Sequence, residues 1–132
     1  MTVGYSAGFL NSALGTIGSG ASPGTAFTAD AGCYAKLHTA DPGVGATAAS
    51  ANVTRVAISF AVASGGSRAM TGTAPVWTNA GTGETISHIT LWDAITAGNF
   101  RLSGALTAPQ AWVSTNTLTL TGCTLSFTPV AA

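Results

Sequence analysis

Charged side chains make up only 6% of this chain, four basic and four acidic, where soluble globular domains usually carry about 25%. Whatever meets water must therefore be mostly Ser, Thr, Asn, Gly and Ala. With a formal net charge of zero, a free monomer has little electrostatic protection against self-association. Such a surface suits a protein that lives inside an assembly. Disorder does not explain it, because disordered chains combine low hydrophobicity with high net charge, and here the hydrophobic fraction is 46%. The length, 132 residues, supports one core and one domain.

The same scarcity excludes several partners. The basic residues are spread singly, so no patch can neutralise a run of phosphates and no nucleic-acid partner is expected. The first charged residue is Asp30. The N-terminus thus lacks the positive region of a signal peptide, and no apolar run approaches the roughly 18 residues of a membrane span. The expectation is a soluble chain made in a host cytoplasm, with no membrane contact. Cys33 and Cys123 stand far apart without CxxC or Cys/His company, and they read as buried free thiols, since a bridge would be unusual in a reducing compartment.

Along the chain, Tyr5, Phe9, Ala13 and Ile17 recur every four positions with Leu10 and Leu14 beside them, the stripe of a short amphipathic helix. Gly18, Ser19, Gly20, Pro23 and Gly24 end it in a loop. The helix is expected to cap the open end of a β core; docking on a neighbouring subunit is the second reading. Thereafter the period becomes that of strands. They are expected at Tyr34–His38, Val53–Val62, Thr85–Trp92, Phe100–Leu106, Thr117–Leu120 and Thr124–Thr128. In the second, Val56, Ile58, Phe60 and Val62 share a face. In the third, Ile86 and Trp92 lie on one face, Ile89 and Leu91 on the other. Turns are expected at Asp41-Pro42-Gly43, Ser64 to Ser67, Ala97-Gly98-Asn99, Ala108-Pro109-Gln110 and Gly122. Helical bundles and parallel α/β folds fit poorly. The fold class is mainly β, an antiparallel β-sandwich or jelly-roll-like barrel with one short N-terminal helix. Residues 1–24 would hold the helix and Gly-rich loop, and residues 25–132 the sandwich, in a single domain.

Chemistry is hard to find. No GxSxG frame surrounds Ser19 or Ser64, and the one lysine, Lys36, belongs to no P-loop. His38 and Asp41 span a turn without a third ligand. His38 reads as a strand-end residue bonded to the following turn, and Asp41 as an Asx cap before Pro42. His88 reads as half-buried and satisfied by a backbone carbonyl. Asn52-Val53-Thr54 has the form of a glycosylation acceptor, without a secretion signal to make it one. Trp77, Trp92 and Trp112 could form a sugar platform, but core packing or subunit contact is the preferred reading. No catalytic, cofactor-binding or metal residue is assigned, and no enzymatic activity is expected.

The order of motifs resembles a family of small tailed-bacteriophage virion proteins, often labelled tail fibre or minor structural proteins. The resemblance covers nearly the whole chain. Leu37-His38-Thr39-Ala40-Asp41-Pro42-Gly43 looks like the family's Leu-x-Thr-x-Asp-Pro-Gly turn, and Arg55 to Phe60 like its Arg-containing second strand. The most specific stretch runs from Thr85 to Ala94 and through Gly98-Asn99 to Gly104-Ala105-Leu106-Thr107-Ala108-Pro109. The resemblance implies a virion component without enzymatic activity. A short chain with no fibrous segment points to a capsid decoration or minor capsid protein. It would be a homo-oligomer, such as a trimer, bound to the major capsid protein or other virion proteins. A tail-tip or tail-fibre-associated module involved in host attachment is the second reading. A cell-wall hydrolase is the third, and would need Asp41, Glu84 and Asp93 to converge.

Overall fold

A computed structural model describes Tyr5, residues 31–79 and residues 81–126. Within them the chain is mainly β, and every strand pair is antiparallel. The strands are β1 Tyr34–His38, β2 Val56–Ala57, β3 Ser59–Phe60, β4 Ser67–Thr71, β5 Val76–Thr78, β6 Glu84–Trp92, β7 Phe100–Trp112, β8 Thr117–Thr119 and β9 Thr124–Ser126. They form a sheet in the order β2-β1-β6-β7, a second in the order β3-β4-β9, and a pair β5-β8. The expected helix and the loop up to Gly24 lie outside the described residues. The exception is Tyr5, which makes an isolated antiparallel bridge to Leu102. Phe127 and Thr128, expected to end the last strand, also lie outside them.

The alternation of β1 sets the layers. Ala35 and Leu37 are fully buried, whereas Tyr34 and Lys36 stay half-exposed on the opposite, outer face. Around that inner pair gather Ile58, Trp77, Ile86, Ile89, Leu91, Trp112 and Leu120, and the partly buried Phe60, Met70 and Leu125 of the second sheet pack against them, so every sheet contributes to one core. Burying an aliphatic side chain of this size is worth about 1.5–3 kcal/mol. Cys33 and Cys123, both free and partly buried, pack against the cluster.

Three expectations need correction. Val53–Val62 is not one strand: the chain bends at buried Ile58, whose amide donates to the Cys33 carbonyl (2.9 Å). The bend passes β2 in the first sheet to β3 in the second, which is how strands turn the corner between packed sheets. Val62, beyond the bend, is 91% exposed. Ile86 does not face away from Ile89 and Leu91; all three share the core. The pairing register breaks between Ile86 and His88, where strict alternation would have placed Ile86 on the other side. The expected turn at Ala108-Pro109-Gln110 lies inside β7. Gln110 pairs with Ile86 and Ala105 with His88, so residues 106 to 109 bulge out opposite Ser87. A bulge removes the need for an amide donor that Pro109 lacks.

Two strands, β4 and β5, were not expected. The Ser64–Ser67 turn is a tight hairpin: both residues accept and donate across it (2.8 and 3.0 Å), with Gly65 and Gly66 at φ +57° and +76°. Two positive-φ residues between paired strands match the right-handed twist of the flanking ribbon. The hairpin turns β3 back on itself as β4.

Candidate functional site

The polar residues singled out in the sequence do not converge. Glu84 opens β6 and Asp93 follows its last residue, Trp92. At about 3.3 Å per residue this separates them by roughly 30 Å, against the roughly 5–10 Å of a paired-carboxylate hydrolase. Glu84 accepts from the Ser50 hydroxyl and from the Ala51 amide (3.1 Å). Asp41 accepts the Gly43 amide (3.0 Å), the expected Asx turn, with Gly43 at φ +56°. Among the described residues no three His, Cys, Asp or Glu side chains gather as a metal site.

His38 does bond to the following turn, and more. It is fully buried, with Nδ1 2.9 Å from the Thr47 carbonyl and Nε2 3.0 Å from Thr90 Oγ1. Burial pulls its pKa below the ordinary histidine value; the Thr47 carbonyl opposes this, and Lys36 and His88 add to it. His88 departs from expectation: its Nδ1 meets the Ser87 hydroxyl (2.8 Å), not a carbonyl, and its buried Nε2 has no partner among the described residues. Asn52 is tied into its own turn, accepting the Thr54 amide and donating to the Thr78 carbonyl.

Trp77 and Trp112 are core residues, each 2% exposed. Their indole N–H groups are satisfied by the carbonyls of Thr54 (3.1 Å) and Asn116 (2.9 Å). They cannot form a binding platform. Trp92 is different. It lies half-exposed on the outer face, edge-on to Phe100 at 5.8 Å, with the Arg55 guanidinium 3.7 Å above its ring.

That arrangement is the most elaborate polar structure in the described chain. Arg55 precedes β2, and Trp92 lies two strands away in β6, so the arginine reaches across β1. Its Nη1 donates to the Ala94 carbonyl (2.8 Å) and to the Ala97 carbonyl. Asp93 holds the loop from the other side. It accepts the Asn99 amide (2.6 Å), Asn99 Nδ2 (2.8 Å) and Arg101 Nη2 (3.0 Å). Burial pushes the Asp93 carboxyl up, but the Asn99 bonds and the charge of Arg101 outweigh it and leave the group below its ordinary value. Lys36 stands beside Arg55, and burial and the arginine's charge both lower its pKa. The sequence singled out Arg55 only as part of a motif. Its reach to the β6–β7 loop depends on strand order, which no local pattern reveals.

A second surface is built of strand edges. In sheet order β7, β8 and β9 are all terminal, and together they line an open groove of about 830 Å³ into which Tyr5 also reaches. From Leu102 to the end of β7, and through β8 and β9, no residue is charged. Exposed strands usually carry charge to prevent pairing with other chains; among the described residues Tyr5 alone pairs on this edge of β7, through its bridge to Leu102.

Residues 18–128 match the family described as podophage GP4 fiber I protein gp80. The match covers most of the chain, which therefore belongs to this phage fibre family and is a virion structural component. No curated protein matches it.

Proposed function

We propose that this member of a phage fibre family is a non-enzymatic structural module of the fibre, held by copies of itself and by neighbouring virion proteins. The observation that carries the reading is the fibre-family match over residues 18–128. It favours a fibre location over the capsid-decoration role that chain length alone suggests. The architecture supports it in two ways. The uncharged run of β7 from Leu102 onward, with β8 and β9, offers backbone amides and carbonyls to a partner strand. Exposed Val44, Val53, Ile95 and Val113 supply apolar contact area where little charge must be desolvated. Three antiparallel sheets around one core fit a sandwich or jelly-roll-like barrel. The lack of enzymatic activity is supported by the separation of Glu84 from Asp93, each committed to holding a loop.

The test is the copy number and position of the chain in purified particles, by quantitative mass spectrometry against the major capsid protein together with imaging. A handful of copies at the tail is the expected result. Hundreds of copies spread over the shell would overturn the fibre assignment in favour of capsid decoration.

A further inference from the structure

His38 and Thr90 lie on the outer face of the first sheet and are nevertheless fully buried. Residues 39–50 cover them. The neck of this loop is closed by backbone bonds from the Thr39 amide to the Ala48 carbonyl (2.9 Å) and from the Ser50 amide to the Leu37 carbonyl (3.1 Å). Its middle rests on Phe100, so closely that a Cβ at Gly45 would lie 2.6 Å from the ring. Between neck and middle, His38 holds the loop from beneath, with Nδ1 2.9 Å from the Thr47 carbonyl.

These contacts fix the protons. A carbonyl oxygen only accepts, so Nδ1 carries the hydrogen and donates it to Thr47. Nε2 is then the bare nitrogen and accepts from the Thr90 hydroxyl (3.0 Å). The Trp92 indole N–H only donates, so Thr90 Oγ1 accepts it (2.8 Å) while giving its own hydrogen to His38. The three donors point one way along a chain that runs from Trp92 through Thr90 and His38 to the loop. Neutral imidazole satisfies every member. A proton on Nε2 reverses the middle link: two N–H groups then converge on Thr90 Oγ1, and the buried hydroxyl hydrogen loses its acceptor.

Charge acts in the same direction. Burial disfavours an imidazolium, the Thr47 carbonyl favours it, and the charges that face it, Lys36 on β1 and His88 across on β6, disfavour it again. Asp41 in the covering loop and Glu84 on β6 are held elsewhere, by the Gly43 amide and by Ser50 and Ala51. Relief is available on the loop side. Ala48, next to Thr47, has φ +50°, a left-handed conformation that a residue with a side chain keeps only while its surroundings impose it. Lifting the loop lets Ala48 relax and lets water reach the imidazolium.

We propose that neutral His38 latches residues 41–48 onto the outer face of the first sheet, and that protonation of its Nε2 in mild acid releases them while the sheets stay folded. The latch goes beyond the fibre reading and does not depend on where in the particle the chain sits.

The experiment is ¹⁵N-NMR of the full chain between about pH 7.5 and about pH 4.5, reading the His38 ring nitrogens and the exchange protection of backbone amides. At the upper end Nδ1 should carry the hydrogen and Nε2 none. As pH falls, protection of the Thr39 amide should drop about tenfold per pH unit, the slope of one proton bound on opening. It should vanish while the Met70 and Leu120 amides, bonded to the Cys123 and Pro75 carbonyls, are still protected. His38→Gln should abolish the drop, and His88→Gln should retain it. A hydrogen on Nε2 at neutral pH, loss of Thr39, Met70 and Leu120 protection at one and the same pH, or a drop that persists in His38→Gln or vanishes in His88→Gln would each overturn the proposal. The first two are read on the unaltered chain, so they decide even where a variant fails to fold.

Discussion

Replacing Gly98 by Ala tests the β6–β7 loop at its tightest point. Gly98 has φ +71°, and a Cβ there would lie 2.5 Å from Asp93 Oδ1, 2.7 Å from Ala94 Cβ and 3.1 Å from the Ala94 nitrogen. The left-handed backbone alone costs a residue with a side chain roughly 1–2 kcal/mol. The methyl group must also push Asp93 off the Asn99 amide and side chain. A hydrogen bond to a charged group is worth about 1.5–3 kcal/mol, and solvent at these exposed bonds brings the loss of one to about 1.5 kcal/mol. Together the substitution should cost about 3 kcal/mol, or roughly 10 °C in melting temperature for a chain of this length. Gly65→Ala is the control. Its φ is +57° with nothing within 4 Å of the new methyl, so only the backbone cost of about 1–2 kcal/mol remains. Both would be followed by circular dichroism at one fixed protein concentration, since association shifts apparent stability. Equal losses in the two variants would refute the claim that Asp93 is what Gly98 must avoid.

Stability should also depend on pH through His38. Its folded pKa lies below the unfolded value of 6.5, so between the two the unfolded chain binds a proton that the folded chain does not. The contribution is therefore complete above pH 6.5 and declines as pH falls below it. A melting-temperature profile should show this decline, and a decline as steep in His38→Gln would refute the assignment. Asp93, lowered from 3.8, should add a further loss as pH falls below that value, absent in Asp93→Asn. Trp112→Ala should cost about 3–5 kcal/mol and remove the chain from particles through misfolding; a folded variant of normal stability would contradict its core position. Gly43→Val places a β-branched residue at φ +56° and should cost about 2 kcal/mol, read by thermal unfolding. No loss there would contradict the turn geometry.

Local pattern revealed the strands whose own alternation meets the core. β1 was legible to the residue and β6 nearly so, because each carries its inward residues without help from elsewhere. What stayed hidden depends on neighbours. Ser67–Thr71 has only Met70 and the small Ala69 as apolar members and is a strand because β3 and β9 pair with it; the Gly65-Gly66 pair was the available signal for that return. Val76–Thr78 is three residues long, and its identity as a strand rests on Trp77 entering the core opposite Leu118. Pro109 reads as a turn in any local window, and only the bulge opposite Ser87 explains how β7 absorbs it. The Arg55 clasp on Trp92 and the β6–β7 loop was hidden for the same reason. Lys36, Arg55 and Trp92 lie far apart in sequence and meet only through the order β2-β1-β6.

The placement of the few charges then has a physical logic. Three of the four basic residues stand on the first sheet's outer face or at its β6–β7 loop, where Asp93 and Arg55 clasp the loop from either side. The fourth, Arg68, covers Phe60 and bonds to the carbonyls of residues 60 and 61. From Leu102 onward β7, together with β8 and β9, carries no charge. A charge on an edge would have to be desolvated when a partner strand pairs there, which costs more than burying a threonine. A charge on the outer face stays in water. In a chain with so few charges, keeping them off the strands from Leu102 onward spares any strand that pairs there the cost of desolvating one.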